Sequence, residues 1–323
     1  MKLKDLYKFI IETGMKKDPR GYSTVEKLLK EEKKKYEKLQ EEEKQEFNIE
    51  KLTNPYSDTR ILNGTGEEEI NSILVGIDIE TPELLLLESL RNKGKKIDLA
   101  LTHHPEGKAY ADFYEVMNMQ SDILHKFGVP INIAEALMEP RIKEVSRKVL
   151  PQNHTRATDS AKLLNIPFMS AHTPADNCVT DYLQKLLDNK KPQTLGDVLK
   201  ILKSIPEYSN AIKESSGPVI FIGSKEKRAG KIFVDMTGGT EGSTEVFEKL
   251  AQSGVGTIVG MHMSEEHYKN AQKYHINVII AGHIPSDTLG MNLLIDEIEK
   301  KFGKLEVIPC SGFRRYKRKQ SEF

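Results

Sequence analysis

Two textures of hydrophobic and polar positions divide the chain near Asn54-Pro55. Before that point Lys and Glu dominate, above all from Thr24 to Phe47, while Val25, Leu29, Tyr36 and Leu39 recur at helix-like spacing. A narrow apolar stripe on a charged surface predicts one long, solvated helix with a thin contact face. Such a helix fits a light packing on the body of the protein or a protruding oligomerisation arm. After Pro55 the pattern changes. Ile73-Leu74-Val75-Gly76-Ile77-Asp78 is a short apolar run ending in Gly and Asp, so a buried strand. Thr81-Pro82-Glu83 opens a helix, with Thr81 as N-cap, Pro82 in the first helical position and Glu83 in the first turn. That helix reaches about Asn92 and stops at Gly94. Residues 97–101 form the next strand, and strand, helix, strand over this distance is a βαβ unit with a parallel pairing.

The same alternation continues to the end of the chain. Helix 113–127 leads to strand 129–133, and helix 159–164 leads to strand 168–171. Residues 180–188 are helical up to Lys190-Lys191-Pro192, and 195–205 form another amphipathic helix. Strands at 231–235, 257–260, 277–281 and 305–308 are separated by helices at 244–251, 265–274 and 287–301. The expected fold is α/β and two-lobed, each lobe a mixed or parallel sheet flanked by helices, with an N-terminal charged helical extension. The expected units are the extension at 1–55, a first lobe at 56–190 and a second lobe at 191–323. No sequence repeat between the lobes is apparent.

Composition sharpens this in three ways. Lys plus Arg and Asp plus Glu both number 48, so the formal net charge is zero and a polyanion gains no global attraction. Nucleic acid is therefore not an expected partner. The two cysteines, Cys178 and Cys310, cannot build a disulfide scaffold and suit a reducing compartment. The N-terminal residues lack the apolar core of a signal peptide, and no apolar run approaches the ~20 residues of a membrane span. A cytoplasmic location is expected.

Candidate chemistry gathers where strands end, which is where open α/β sheets hold ligands. Leu101-Thr102-His103-His104-Pro105 follows a strand. Adjacent residues of a strand point to opposite faces, and Pro105 keeps His104 extended, so the two rings can splay from one corner. The pair fits metal ligation, or surface polar groups at a turn. Ala171-His172-Thr173-Pro174-Ala175-Asp176-Asn177 also follows a strand. Its Asp176 could bridge two ions with its two oxygens, or cap a turn or helix. Ala281-Gly282-His283-Ile284-Pro285-Ser286-Asp287 places a histidine at a strand tip and an aspartate in a first helical turn, where acids are favourable in any case. Three histidines and two carboxylates in three such corners suit zinc, iron(II) or manganese at a dinuclear site. A fourth segment, Asp235-Met236-Thr237-Gly238-Gly239-Thr240-Glu241-Gly242, could form an anion-binding nest around Gly238 and Gly239, or a plain glycine-rich turn.

At the three histidine segments the chain strongly resembles the NIF-three-like family of dinuclear metal proteins, also described as GTP cyclohydrolase I type 2 homologues. The resemblance runs from about residue 56 to the C-terminus and makes both lobes one unit. It implies two divalent metal ions per chain, with His103, His104, Asp176, His283 and Asp287 as ligands. Asp287 stands where the family usually has Glu; one methylene shorter, it puts the bridging role there in doubt. The chain also lacks the family's aromatic Trp-Asp opening and contains no Trp. The resemblance further implies ring-shaped homohexamers with metal sites facing an internal cavity.

Other residues carry weaker expectations. Glu106 could be a general acid or base beside the metals, or an exposed turn residue. His172 could orient a ligand, or be a buried histidine satisfied by backbone. Cys178 reads as a small buried apolar residue. The tail Arg314-Arg315-Tyr316-Lys317-Arg318-Lys319 reads as a frayed, solvated end. The function expected from this set is a metal-dependent hydrolase acting on a nucleotide or other phosphate-containing small molecule. The alternative is a non-enzymatic protein that stores, delivers or senses metal.

Overall fold

The computed structural model describes residues 1–318. Three helices come first: α1 (Leu3–Lys17), α2 (Tyr22–Lys38) and α3 (Glu41–Glu46). Strands β1 (Arg60–Asn63), β2 (Ser72–Gly76), β3 (Leu99–Thr102) and β4 (Phe168–Ser170) follow, interleaved with helices α4 (Thr81–Asn92), α5 (Gly107–Ala111), α6 (Met119–Phe127), α7 (Ile131–Val149) and α8 (Arg156–Leu163). Beyond β4 lie α9 (Thr173–Lys190), α10 (Leu195–Lys203) and α11 (Pro206–Lys213). The remainder is β5 (Val219–Ile222), β6 (Lys231–Asp235), α12 (Val246–Gln252), β7 (Val255–Gly260), α13 (Glu265–Lys273), β8 (Asn277–Ile280), α14 (His283–Phe302) and β9 (Glu306–Pro309). These elements make two mixed sheets flanked by helices, the expected α/β class.

The sheet orders are β1-β4-β3-β2-β9 and β5-β8-β7-β6. In each, three consecutive strands run parallel (β2, β3, β4 and β6, β7, β8) and an edge strand runs antiparallel to the last of them (β1 on β4, β5 on β8). The two sheets therefore share one topology, and α9 leaves β4 as α14 leaves β8. The sequence carries the trace of this repeat: His172-Thr-Pro-Ala-Asp176 and His283-Ile-Pro-Ser-Asp287 have the same His-x-Pro-x-Asp form. No repeat was expected, because outside this corner the two halves share too little to register. The strand at 306–309, β9, pairs with β2 in the first sheet.

α9 and α14 lie against each other between the sheets, and their apolar residues join one large core. The approach is close enough that a Cβ on Gly290 would come within 2.5 Å of the Ala175 carbonyl. α1 belongs to the same core. Its Leu3, Leu6 and Ile10 are fully buried against α9 and α14. α2 differs, since Val25 alone of its residues is buried, as its charged pattern predicts. The long helix expected over 24–47 ends at Lys38, and α3 restarts where Glu43 Oε2 accepts the Gln40 N–H at 2.8 Å.

Four local expectations need correction. Residues 129–133 are not a strand. Val129-Pro130 leads into α7, whose Ala134, Met138, Val145 and Val149 form a buried stripe at helical spacing, and a short apolar run cannot distinguish the two. α9 begins at Thr173 rather than near 180, and α14 at His283 rather than Asp287, because Pro174 and Pro285 sit in first turns where proline is tolerated. The short antiparallel strands β1 and β5 were not anticipated. Lastly, the basic tail is not frayed as far as Arg318: Arg315 pairs with Asp296 and Glu299, and Arg318 with Glu207. Lys319 lies outside the described residues. Among the described residues no helix is long and apolar enough to cross a membrane.

Candidate metal centre

Three backbone corners converge on one point. β3 ends at Thr102, and His103 and His104 continue its pairing by donating N–H groups to the carbonyls of Gly76 and Ile77 at 3.0 and 2.9 Å. That register fixes both backbones, and the rings splay to centroids 5.2 Å apart. The second corner is β4 to α9, carrying His172 and Asp176 four residues apart on one side of the chain. The third is β8 to α14, carrying His283 and Asp287 in the same relation. Gly282 makes this last turn with φ +106°, and a Cβ there would lie 2.6 Å from the Ser216 carbonyl oxygen, so both conformation and space require glycine.

The donor atoms meet at a characteristic spacing. His103 Nε2 lies 3.4 Å from Asp176 Oδ1 and 3.5 Å from Asp287 Oδ1. Asp287 Oδ2 lies 3.5 Å from both His104 Nε2 and His283 Nε2. His172 Nε2 is 3.7 Å from Asp176 Oδ2. These separations exceed hydrogen-bond lengths. They match two donors on one ion, since bonds of about 2.0–2.2 Å at tetrahedral angles set neighbouring donors about 3.4 Å apart. Asp176 Oδ1, both oxygens of Asp287 and His103 Nδ1 are buried with no hydrogen-bond partner. Buried carboxylate oxygens rarely go unpaired, so the residues present fit a cation. Buried His/Asp groups here could bind metal ions: His103–Asp176–Asp287, His104–His283–Asp287 and His103–His104–His172 each bring donor atoms within 4.8 Å.

Asp287 divides its two oxygens between His103 on one side and His104 and His283 on the other, and Asp176 divides its own between His103 and His172. α14 starts one turn earlier than expected and carries Asp287 to within 3.5 Å of His103, His104 and His283. Electrostatics follow from burial and crowding. Burial opposes ionisation of Asp287, but His103, His104 and His283 hold its carboxyl far below the usual range. Burial pushes Asp176 well above it, and the charges of Asp287 and Asp58 add to that. Burial lowers His103. Burial also opposes charging of His104, yet the carboxylates of Asp287 and Asp78 beside it outweigh that and raise its pKa to about 9.

A second layer of acids holds the rings. Asp58 Oδ2 accepts from His172 Nδ1 at 2.8 Å and from Thr173 Oγ1 at 2.6 Å, and Thr59 Oγ1 accepts the His172 N–H at 3.1 Å. Asp78 Oδ1 pairs with His104 Nδ1 at 2.6 Å. Each bond fixes Nδ1 and presents Nε2 to the cluster, the usual support for a ligating imidazole. Sequence reasoning missed both acids. Asp78 ends strand β2 and could have been noticed; Asp58 lies in a polar turn with no local signal.

The cluster opens into a cavity of about 470 Å³ reached by His104, His172 and His283. Glu106, Tyr110, Phe113, Arg156 and His262 also line it. Burial and the nearby Glu80 raise the Glu106 pKa to about 7. His262, given no role from sequence, has its ring 4.8 Å from that of His283 and its Nδ1 3.2 Å from Glu241 Oε1. Gly238 and Gly239 adopt φ +98° and +87° and pack against Gln120 and Val116, and α12 starts beyond them at Val246. Cys178 is buried away from the cluster, its thiol pushed up to about 12 by burial.

A two-sheet α/β protein with histidine and aspartate groups at its strand ends is the class that fold and site define. Residues 142–312, just over half of the chain, match the profile of the Duf34/NIF3 (NGG1p interacting factor 3) family, and the chain belongs to that family. The matched segment holds Asp176, His283 and Asp287. Among solved structures, the chain is similar to a NIF3 superfamily protein from Sphaerobacter thermophilus, with 25% identity, 79% of this chain and 91% of that chain covered, and TM-score 0.68. It also matches reduced HcgD from Methanocaldococcus jannaschii at 17% identity, covering 78% and 87%, with TM-score 0.48. The protein SA1388 from Staphylococcus aureus matches at 15% identity, covering 79% and 89%, with TM-score 0.44. No curated protein matches the sequence.

Proposed function

We propose that the protein holds two divalent ions side by side and uses them as a hydrolase for a phosphate-containing small molecule. In this reading His103, His172, Asp176 and Asp287 would hold one ion, and His104, His283 and Asp287 would hold the other. The single observation that carries it is Asp287, whose two buried oxygens lack hydrogen bonds and face separate sets of donors at 3.5 Å. Two such ions supply Lewis acidity and a water acidic enough to ionise near neutral pH. The chain's own residues do the rest. Asp58 and Asp78 hold two of the imidazoles in position. Tyr110 and Phe113 give the cavity an apolar wall, and Arg156 offers a cation for an anionic substrate. Glu106, with its pKa raised to about 7, is available to take or give a proton at the cavity wall. A nucleotide such as GTP, cytoplasmic action and a hexameric assembly belong to the same proposal through the family resemblance.

Elemental analysis of protein purified without chelators or affinity-tag metal tests the core of this. About two ions per chain are expected, with clear loss in His104→Ala and Asp176→Ala. A wild type that stays metal-free after incubation with zinc, iron(II) or manganese would overturn it. Metal-loaded protein is then screened against GTP, other nucleotides and phosphate esters, and light scattering reads the assembly. Full metal occupancy without any turnover, and rapid transfer of metal to an acceptor, would favour metal delivery over hydrolysis.

A further inference from the structure

The cavity at the metal centre continues inward past His262 into a recess of about 90 Å³. His172, Gly239, Thr240, His262 and His283 line both spaces, so the recess is the inner end of the cavity. Asp235, the last residue of β6, closes it. Successive residues of a strand point to opposite faces, so Asp235 shares its face with Phe233 and not with Ile232 and Val234. Ile232 and Val234 enter the core around α9, and Phe233 enters the core around α6 and α12. A small void on the Phe233 face touches Asp235, Phe247 and His267 as well. The Asp235 side chain therefore turns to the side on which Glu241, Phe247 and His262 line the recess. Asp235 is exposed, whereas Asp176 and Asp287 are buried. Desolvation nonetheless raises its pKa to about 6, as for a carboxylate lodged in a hollow rather than on an open surface. The charges acting on it are His262, which lowers the pKa, and Glu241, which raises it, and no hydrogen bond from the described residues helps to hold the ionised form. Its polar neighbours are occupied. Glu241 pairs with His262 Nδ1 at 3.2 Å and accepts the Ser264 N–H at 2.7 Å, and Thr237 Oγ1 donates to Asn177 Oδ1 at 2.7 Å. Asp235 is left with two acceptor oxygens and no donor, beside the apolar Met236, Met263 and Ile258.

We propose that this recess is the specificity pocket of the site and that Asp235 receives a paired N–H head group of the substrate, of the amidine class. The proposal rests on the reading of the larger cavity as a substrate site. A carboxylate matches two parallel N–H donors, as in the fork it forms with a guanidinium. A hydroxyl would engage one oxygen only, and an anionic group would meet Asp235 and Glu241. Size restricts the head group further. Water takes about 30 Å³ per molecule, so the recess holds roughly three or four non-hydrogen atoms. The head group enters, and the body of the substrate stays in the outer cavity beside Tyr110, Phe113 and Arg156.

Nuclear magnetic resonance of the full chain, labelled in its methionine methyl groups, tests the proposal. Met236 and Met263 line the recess and report on it, while Met15 lies in a separate cluster and serves as the control. Acetamidine is titrated into zinc-loaded and zinc-free protein, with acetamide as the uncharged probe of the same shape. Saturable shifts are expected at Met236 and Met263 and not at Met15, in both forms of the protein. Acetamidine should bind about tenfold tighter than acetamide, as a charge-assisted pair requires. Asp235→Asn keeps the shape of the side chain and should erase that preference. If this variant fails to fold, the comparison of the two probes in wild type carries the test. No saturable shift in wild type, or an equal response to both probes, overturns the proposal. So does a response that survives Asp235→Asn and disappears on zinc loading, which would put the probe on Asp176 and Asp287. A wild type that takes up no zinc would sink the metal reading and leave the zinc-free titration to decide the recess.

Discussion

The corners at His172 and His283 are built alike and finished differently. Both follow a strand whose outer neighbour runs antiparallel, and both present His and Asp four residues apart at the head of a long helix. Around His172 the site is closed: the side chain is 7% exposed and Asp58 fixes its Nδ1. Around His283 it is open: the side chain is 42% exposed, and its near neighbour is the ring of His262. Both histidines touch the cavity, but one half of the repeat is buried and fixed while the other stands open to it. The duplicated scaffold thus presents one closed corner and one open corner, and Asp287 of the open one also faces His103 and His104.

The harshest way to break this comparison is to remove the shared group. Asp287→Ala should empty both positions, whereas Asp176→Ala should cost mainly the closed one, so metal content falls to near zero in the first variant and by about half in the second. Equal losses in the two variants would erase the distinction. A gentler change sharpens it. Asp58→Asn keeps the shape but loosens His172, and second-layer changes of this kind typically cost about 10–100-fold in metal affinity. Asp78→Asn at the more exposed His104 should cost less, as competition with a chromophoric chelator would show. The smallest effect is a pH slope in chelated protein. The folded-state pKa of His104, about 9, lies above the ordinary value of about 6.5, so its contribution to stability is complete below about 6.5 and disappears as pH rises through about 9. The melting temperature of metal-free protein should therefore decline across that interval, and His104→Gln should flatten the decline.

Much of this site could be read without coordinates, for a physical reason. Apolar runs of four or five residues mark buried strands, and a histidine directly after one lies at the strand's carboxyl end, where open α/β sheets hold ligands. His103, His104 and His283 stand out in that way, whereas Asp176 and Asp287 lie a helical turn further on and stand out through their place beside a strand-end histidine and through the family resemblance. What stayed hidden depended on distant pairing. Asp58 acquires its importance only because β1 folds back antiparallel beside β4 and delivers it to His172. The starts of α9 and α14 were obscured by Pro174 and Pro285, which look like breakers until their place in a first turn is known. The equivalence of the two His-x-Pro-x-Asp segments was present in the letters, but five positions are too few to reveal a repeat without the matching sheets. α7 was lost because Pro140 interrupts its pattern while the helix continues through it.

The contact between α9 and α14 at Gly290 has a mechanical consequence. Donors on β3, α9 and α14 come from points far apart in the chain, so any ion held among them closes very long loops. Such a tie restrains the unfolded chain as a disulfide does, by removing loop-closure entropy rather than by adding contacts to the native state. Both halves of the repeat would then melt in one cooperative step when metal is bound. Stripping the ions would let the second sheet open independently, and a single calorimetric transition would split into two.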